Sequence, residues 1–215
     1  MHGDRQYFQN IRRDYLKNGL LESELNADPV KQFESWFNQA IDAKVVDGNA
    51  LTLSTVSGGK PNARVVLLKT FTDQGFIFFT NYSSKKAKEL EENPYASMLF
   101  YWGEMERQVK IMGPVKKVSR EESAEYFETR PRESQIGAYS SKQSQTLLNR
   151  EILENKYQEL DKEYKGKDIP LPDFWGGFIL QPEYFEFWQG RPNRLHDRLV
   201  YEPQNGSWAI RRLYP

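Results

Sequence analysis

From Ala50 onward the chain is a succession of short strand-like runs parted by turn residues, and helical stretches do not alternate with them regularly. Leu51-Thr52-Leu53-Ser54-Thr55-Val56 is followed by Gly58-Gly59, a hairpin signal, and then by the run Ala63 to Lys69. The turn Thr72-Asp73-Gln74-Gly75 leads into Phe76 to Thr80. Two more runs follow, Tyr95 to Trp102 and Arg107 to Val118. The tail gives Gly176 to Leu180, Tyr184 to Trp188, Leu199 to Glu202 and Trp208 to Leu213, with Asn205-Gly206 as a turn. Hairpin succession of this kind favours an antiparallel sheet or closed barrel with helices packed outside, an α+β class, over a doubly wound parallel sheet. Closure into a barrel also disposes of exposed edges.

The helices are set by caps and breakers. Asp28-Pro29 supplies an N-cap and a first-turn proline, and Val30, Phe33, Phe37, Ala40, Ile41 and Val45 recur at helical spacing, so residues 30 to 45 read as an amphipathic helix. Ser83 or Ser84 caps a short helix that must stop before Pro94. Ser119-Arg120-Glu121-Glu122 is a capping box for a helix to about Thr129, Pro131 breaks it, and a second piece begins there. Residues 147 to 165 read as a charged amphipathic helix. No repeat or linker divides the chain, so residues 29–215 read as one domain, preceded by a loosely ordered arm or lid over residues 1–28.

Composition narrows the function. Lys+Arg and Asp+Glu are each 30 in 215 residues, so the net charge is zero, against a dedicated nucleic-acid or anionic-membrane binder. The longest charge-free run, Gly48 to Gly59, is too short for a membrane span, and the N-terminus opens no apolar signal segment, so a cytoplasmic protein is expected. Cysteine is absent, and the only histidines are His2 and His196, which removes thiolate chemistry and multi-histidine metal sites; no metal is expected. Glycine-rich dinucleotide and P-loop signatures, H-E-x-x-H and G-x-S-x-G are all missing.

What stands out is positive charge set in apolar strands and beside helix starts. Arg64 and Lys69 bracket Val65-Val66-Leu67-Leu68, five positions apart and so on opposite faces of an ideal strand. Such charges are costly unless paired, ligand-bound or snorkelling to water. Ser83-Ser84-Lys85-Lys86 combines hydroxyls, ammonium groups and free helix N–H groups, the way proteins hold phosphate, although an ordinary capped helix has the same look. Tyr126 and Arg130 share a helical face, and Pro131-Arg132-Glu133-Ser134 opens another anion-friendly helix end. Trp188-Gln189-Gly190 and Arg194-Leu195-His196-Asp197-Arg198 add groups suited to flat, hydrogen-bonding rings. No carboxylate pair or cluster suggests hydrolysis or magnesium, which leaves room for chemistry carried by an organic cofactor.

Taken together, Arg64 to Lys69, Ser83-Ser84-Lys85-Lys86, Glu106-Arg107-Gln108-Val109, Ser134-Gln135-Ile136-Gly137-Ala138, Ser141-Lys142-Gln143-Ser144, Phe174-Trp175-Gly176-Gly177-Phe178 and Phe187-Trp188-Gln189-Gly190 through Arg198 resemble the pyridoxine (pyridoxamine) 5′-phosphate oxidase family. The resemblance runs from about Arg12 to Pro215. It implies an antiparallel, Greek-key-like FMN-binding split β-barrel with peripheral helices, working as a homodimer. Carried over position by position, it implies FMN contacts from Arg64, Val65, Leu67, Lys69, Phe79, Thr80, Lys85, Lys86, Gln108, Gln143, Ser144, Trp188 and Arg198. It gives the substrate phosphate to Lys69, Tyr126, Arg130 and Ser134. Arg194 and His196 become the catalytic residues over the pyridine ring beside Leu195, with Arg12 and Tyr15 on a covering arm. Lys85 stands where many family members carry arginine; a lysine neutralises phosphate but cannot make the bidentate fork. The implied reaction oxidises pyridoxine 5′-phosphate or pyridoxamine 5′-phosphate to pyridoxal 5′-phosphate, with dioxygen as acceptor and hydrogen peroxide released. A split-barrel flavin reductase would keep the FMN site without the substrate phosphate cage, and a non-catalytic pyridoxal-phosphate-binding module would need no FMN.

Overall fold

The computed structural model describes residues 14–15 and 19–215. They divide into two compact units, one made of the stretch up to Gly48, Leu99–Ile111 and Tyr184–Pro215, the other of Asn49–Met98 and Met112–Glu183. The sequence reading had one domain over 29–215. Both boundaries near residues 98 and 111 fall inside strands, where no linker composition marks them.

In the first unit, helix α1 (Pro29–Asp42) starts where Asp28 accepts a hydrogen bond from the Val30 N–H at 2.8 Å. Its buried face, Val30, Phe33, Trp36 and Ala40, packs Phe33 at 5.0 Å from the Phe100 ring and Trp36 edge-on to Phe187 at 5.3 Å. The helix ends three residues before the expected Val45. Lys44 turns left-handed at φ 54°, while the Val45 and Lys44 N–H groups bond back to the Ala40 and Ile41 carbonyls, a Schellman closure that uses Val45 as a contact after the helix. Strands β8 (Tyr184–Gln189), β9 (Asp197–Gln204) and β10 (Ser207–Leu213) form an antiparallel meander, with Asn205 and Gly206 at positive φ in its last turn. Of the expected loose arm, residues 1–13 and 16–18 lie outside the described residues. The part after Gly19 is packed: Leu20 is buried, its N–H donates to Asp197 at 2.9 Å, and Arg212 pairs with Glu22 at 2.8 Å.

The second unit holds β1 (Ala50–Ser57) and β2 (Lys60–Leu67), antiparallel across the Gly58-Gly59 turn, with Leu53 opposite Arg64. Inward Leu51 and Leu53 are buried, as the alternation predicts. A short strand β3 (Thr70–Thr72), missed in the sequence, pairs with β4 (Gly75–Asn81). β4 also pairs antiparallel with β7 (Trp175–Leu180), which is buried along its whole length. Strands β5 (Tyr95–Trp102) and β6 (Arg107–Lys117) run as expected, and the end of β6 pairs with β7.

Four helices complete this unit: α2 (Lys85–Glu92), α3 (Arg120–Glu128), α4 (Arg132–Ser140) and α5 (Arg150–Glu163). Ser84, Ser119 and Asn149 cap the first, second and fourth. Asn149 explains why α5 begins later than residue 147: its side chain takes the Ile152 N–H at 3.1 Å and fixes the start there. Phe127, Ile136, Leu160, Ile169 and Trp175 form the core under α3 to α5. The strand pairs named are all antiparallel, so the α+β expectation holds.

Candidate functional site

A cavity of about 1040 Å³ opens within the second unit. β2 ends at Leu67, so Lys69 is released from strand geometry, and its N–H bonds to the Ile77 carbonyl at 3.0 Å. The opposite-face expectation for Arg64 and Lys69 therefore fails: both line the cavity. With them on the lining are Val65, Leu67, Phe79, Thr80, Lys85, Lys86, Gln143 and Ser144, which are ten of the thirteen positions expected to hold FMN. Tyr126, Arg130 and Ser134 line it too, so the whole expected phosphate cage, Lys69 included, is brought together. Arg64, Lys69, Lys85, Lys86 and Arg130 make five cations on a lining that contains no Asp or Glu.

Each cation is held differently. Arg64 donates to the Leu53 carbonyl at 3.2 Å, Thr55 Oγ1 at 2.6 Å and Glu89 at 2.6 Å. Glu89 is buried on the inner face of α2 and also accepts from Thr55 at 2.6 Å and Asn62 at 2.8 Å. Burial pushes its carboxyl up, but these hydrogen bonds and the Arg64 charge outweigh burial and hold it below the ordinary range. Lys86 donates to Thr80 Oγ1 at 3.0 Å and Gln143 Oε1 at 3.2 Å. Burial, then the Arg64 charge, lower its ammonium pKa, with Glu89 opposing. Arg130 lies over the Trp175 ring at 4.6 Å, its NH1 is buried without a hydrogen-bond partner, and burial lowers its pKa.

These residues fit a flat ring system that carries phosphate. Val65 and Leu67 expose 67% and 42% of their surface, an apolar face beside the cations, while the buried unpartnered guanidinium N–H of Arg130 suits an anion. The start of α2 at Ser84-Lys85-Lys86 adds helix N–H groups.

The remaining expected positions that the structure describes lie in the first unit. Tyr15, Trp188 and His196 cluster there, with ring centroids 5.6 Å apart for Tyr15 and Trp188, 5.2 Å for Tyr15 and His196 and 4.7 Å for Trp188 and His196. His196 Nδ1 accepts the Arg191 N–H at 3.1 Å; burial and then the Arg194 charge lower its pKa, so the neutral ring with its proton on Nε2 is favoured. Arg194 is exposed and left-handed at φ 62°, Leu195 is exposed, and Gln108 is half-buried. Arg198 donates to the buried Glu186 at 2.7 Å and to the Tyr214 carbonyl at 3.0 Å, while Lys110 pairs with the same carboxylate at 2.7 Å. Arg198 and Lys110 bring the Glu186 pKa down to about 2 against the opposing effect of burial. Arg12 lies outside the described residues.

Comparison with known proteins decides the family. The sequence profile described as "Pyridoxamine 5'-phosphate oxidase" matches residues 37–163, and one described as "Pyridoxine 5'-phosphate oxidase C-terminal dimerisation region" matches residues 175–215. The chain belongs to the pyridoxamine 5′-phosphate oxidase family. A family relative from Rippkaea orientalis, named pyridoxine/pyridoxamine 5′-phosphate oxidase, is 53% identical over 207 residues, covering 95% of this chain and 98% of its own. One of the same name from Rubrobacter xylanophilus is 47% identical and covers 99% of both chains. Among solved structures, PhzG from Burkholderia lata 383 in complex with tetrahydrophenazine-1-carboxylic acid superimposes with TM-score 0.87 at 31% identity, covering 92% of this chain and 98% of that one. An oxidase-related FMN-binding protein from Nostoc punctiforme shares the fold, with TM-score 0.68 at 16% identity over 85% of this chain and 97% of its own. The expected split-barrel fold of this family is thereby established.

Two residues of the site escaped the sequence reading. Glu89 sits in Lys85-Lys86-Ala87-Lys88-Glu89-Leu90-Glu91-Glu92, which reads as a solvated helix; a carboxylate three positions after Lys86 and beside Leu90 was the available signal. Trp175 lies in Phe174-Trp175-Gly176-Gly177-Phe178, where nothing local distinguishes it from an ordinary strand aromatic.

Proposed function

We propose that this protein oxidises pyridoxine 5′-phosphate or pyridoxamine 5′-phosphate to pyridoxal 5′-phosphate, with FMN as cofactor and dioxygen as acceptor, releasing hydrogen peroxide. The observation that carries this reading is the carboxylate-free cavity with cations on two walls, β2 with α2 and α3 with α4, which suits two phosphate-bearing molecules. Bound FMN supplies the two-electron acceptor and its reoxidation by dioxygen. Arg64, Lys85 and Lys86 would hold its phosphate, and Val65, Leu67 and Phe79 offer apolar surface to its ring. Lys69, Tyr126, Arg130 and Ser134 take the substrate phosphate and fix one end of that molecule, so that positioning rather than acid–base chemistry is the protein's main share. Arg194 and His196 are read as facing the pyridine ring. The neutral His196 favoured by its surroundings presents a donor N–H at Nε2. A homodimer belongs to this reading, supported by the match of residues 175–215 to a dimerisation region.

The test is peroxide release by FMN-loaded protein given each phosphorylated compound and phosphate-free pyridoxine. Turnover of the phosphorylated compounds with little of pyridoxine is expected. No peroxide from either phosphorylated compound overturns the reading. Turnover confined to a reduced carboxylated ring would instead favour the chemistry suggested by the PhzG likeness.

A further inference from the structure

Trp175 opens β7 opposite Asn81 of β4, and two glycines follow it in the same ladder, Gly176 opposite Thr80 and Gly177 opposite Phe79. A Cβ on Gly177 would come within 2.8 Å of the Phe79 ring, so glycine there lets Phe79 lie flat against its neighbours. The result is an aromatic wall: Phe79 stacks on Trp175 at 5.5 Å and on Tyr126 at 4.0 Å. Arg130 closes one end of it, its guanidinium carbon 4.6 Å from the Trp175 ring centre and 5.5 Å from that of Phe127.

This arrangement resolves a difficulty in the energetics of Arg130. Its NH1 is buried with no hydrogen-bond partner, and a buried unpaired donor on a cation is strongly unfavourable. An electron-rich indole face is the compensation at hand, through cation–π attraction. Unlike a carboxylate, that face leaves the positive charge uncancelled.

We propose that Trp175 is a positioning residue for substrate: its indole face holds the Arg130 guanidinium in the cavity wall, ordered and still fully charged, for the phosphate of the substrate. This rests on the reading of that wall as the seat of the substrate phosphate. Trp175 touches no reacting atom; it acts through Arg130. A phosphorylated substrate then meets an arginine that has already lost its rotamer freedom, which is where the affinity gain arises.

The experiment uses FMN-loaded protein with Trp175→Leu, Trp175→Phe, Arg130→Ala and the Leu/Ala double variant. It measures KM and kcat for pyridoxine 5′-phosphate, and the affinity for inorganic phosphate by calorimetry. Trp175→Leu should raise KM and weaken phosphate binding by roughly 3- to 30-fold, with kcat nearly unchanged. Trp175→Phe, which keeps a π face and most of the core volume, should recover most of this and serves if the Leu variant does not fold. In the Arg130→Ala background Trp175→Leu should add nothing further. An undiminished effect of Trp175→Leu in that background overturns the proposal, because Trp175 then acts independently of Arg130. So does native phosphate affinity in Trp175→Leu, or Trp175→Phe behaving as badly as Leu. If Arg130→Ala itself leaves phosphate affinity unchanged, the assignment of the wall fails instead.

Discussion

Arg64 and Arg130 line the same cavity, yet Arg64 is held by a buried carboxylate and Arg130 by an aromatic face. Around Arg64, Glu89, Thr55, Asn62 and the Leu53 carbonyl form a closed network, and the pair's side chains are 18% and 6% exposed. Around Arg130 there is ring surface and an unpartnered NH1. A carboxylate anchors a cation firmly but cancels much of its charge, whereas a π face anchors it more weakly and leaves the charge available. The first arrangement suits a wall that grips a resident cofactor with Lys85 and Lys86 supplying net charge. The second suits a wall whose anion arrives and leaves at every turnover.

The contrast predicts opposite outcomes for the two anchors, and the largest effect falls on Glu89. Glu89→Ala leaves Arg64 largely buried without its counter-ion, a change that costs about 3 kcal/mol or more. For a chain of this size that lowers the melting temperature by roughly 6–12 °C. FMN affinity should fall with it, since Arg64 loses its fixed position. Calorimetric melting of the apoprotein checks this; a melting temperature within about 2 °C of native would show that the network is dispensable and the contrast misdrawn.

Arg130→Ala sharpens the comparison from the other side. Removing a cation that has no carboxylate partner should leave the melting temperature nearly unchanged. A lost hydrogen bond to a charged group is worth about 1.5–3 kcal/mol, so catalytic efficiency toward pyridoxine 5′-phosphate should fall roughly 10- to 150-fold. Oxidation of phosphate-free pyridoxine, expected to be slow from the start, should be nearly indifferent. Arg130→Lys should recover part of the loss, a point charge replacing a fork. Steady-state oxidation of both compounds at saturating FMN decides it; equal losses on both would assign Arg130 to the fold or the flavin.

Much of the fold was legible in local signals. Asp28-Pro29, Ser119 as an N-cap, and the turn pairs Gly58-Gly59 and Asn205-Gly206 act within a few residues, and the structure uses each of them locally. Tyr126, Arg130 and Ser134 could be grouped because one helical turn and one proline break set their spacing. What stayed hidden was decided by tertiary pairing. Whether Lys69 shares a face with Arg64 depends on where β2 ends, and that is set by Leu68 and Lys69 bonding to Asn49 and Ile77. Glu89 looks solvated in its own helix and becomes buried only because β1 brings Thr55 and β2 brings Asn62 and Arg64 against it. Trp175 could be recognised as part of a motif, but its contact with Arg130 depends on the distant break between α3 and α4 folding over it.

The smallest effect concerns Lys86, which lies on the Arg64 wall but carries no carboxylate of its own among the described residues. Burial and the Arg64 charge lower its pKa below the ordinary 10.5, with Glu89 only partly opposing. Lys86 therefore loses its proton earlier than an exposed lysine as pH rises. If it helps to hold the FMN phosphate, affinity should decline as pH rises, beginning below pH 10.5. Flavin ring ionisation and general alkaline loosening would produce a similar limb, so the quantity to follow is the ratio of FMN to riboflavin affinity. Both ligands share the ring, and only FMN carries the phosphate. In native protein the ratio should drop several-fold across this limb, roughly the change expected when one charge-assisted contact becomes neutral. In Lys86→Arg, whose guanidinium keeps its charge throughout, the limb should shrink to whatever Lys85 contributes while the ratio at neutral pH stays close to native. A ratio that is flat with pH in the native protein would mean that Lys86 serves Thr80 and Gln143 rather than the phosphate. The phosphate would then be held by Arg64, Lys85 and the start of α2.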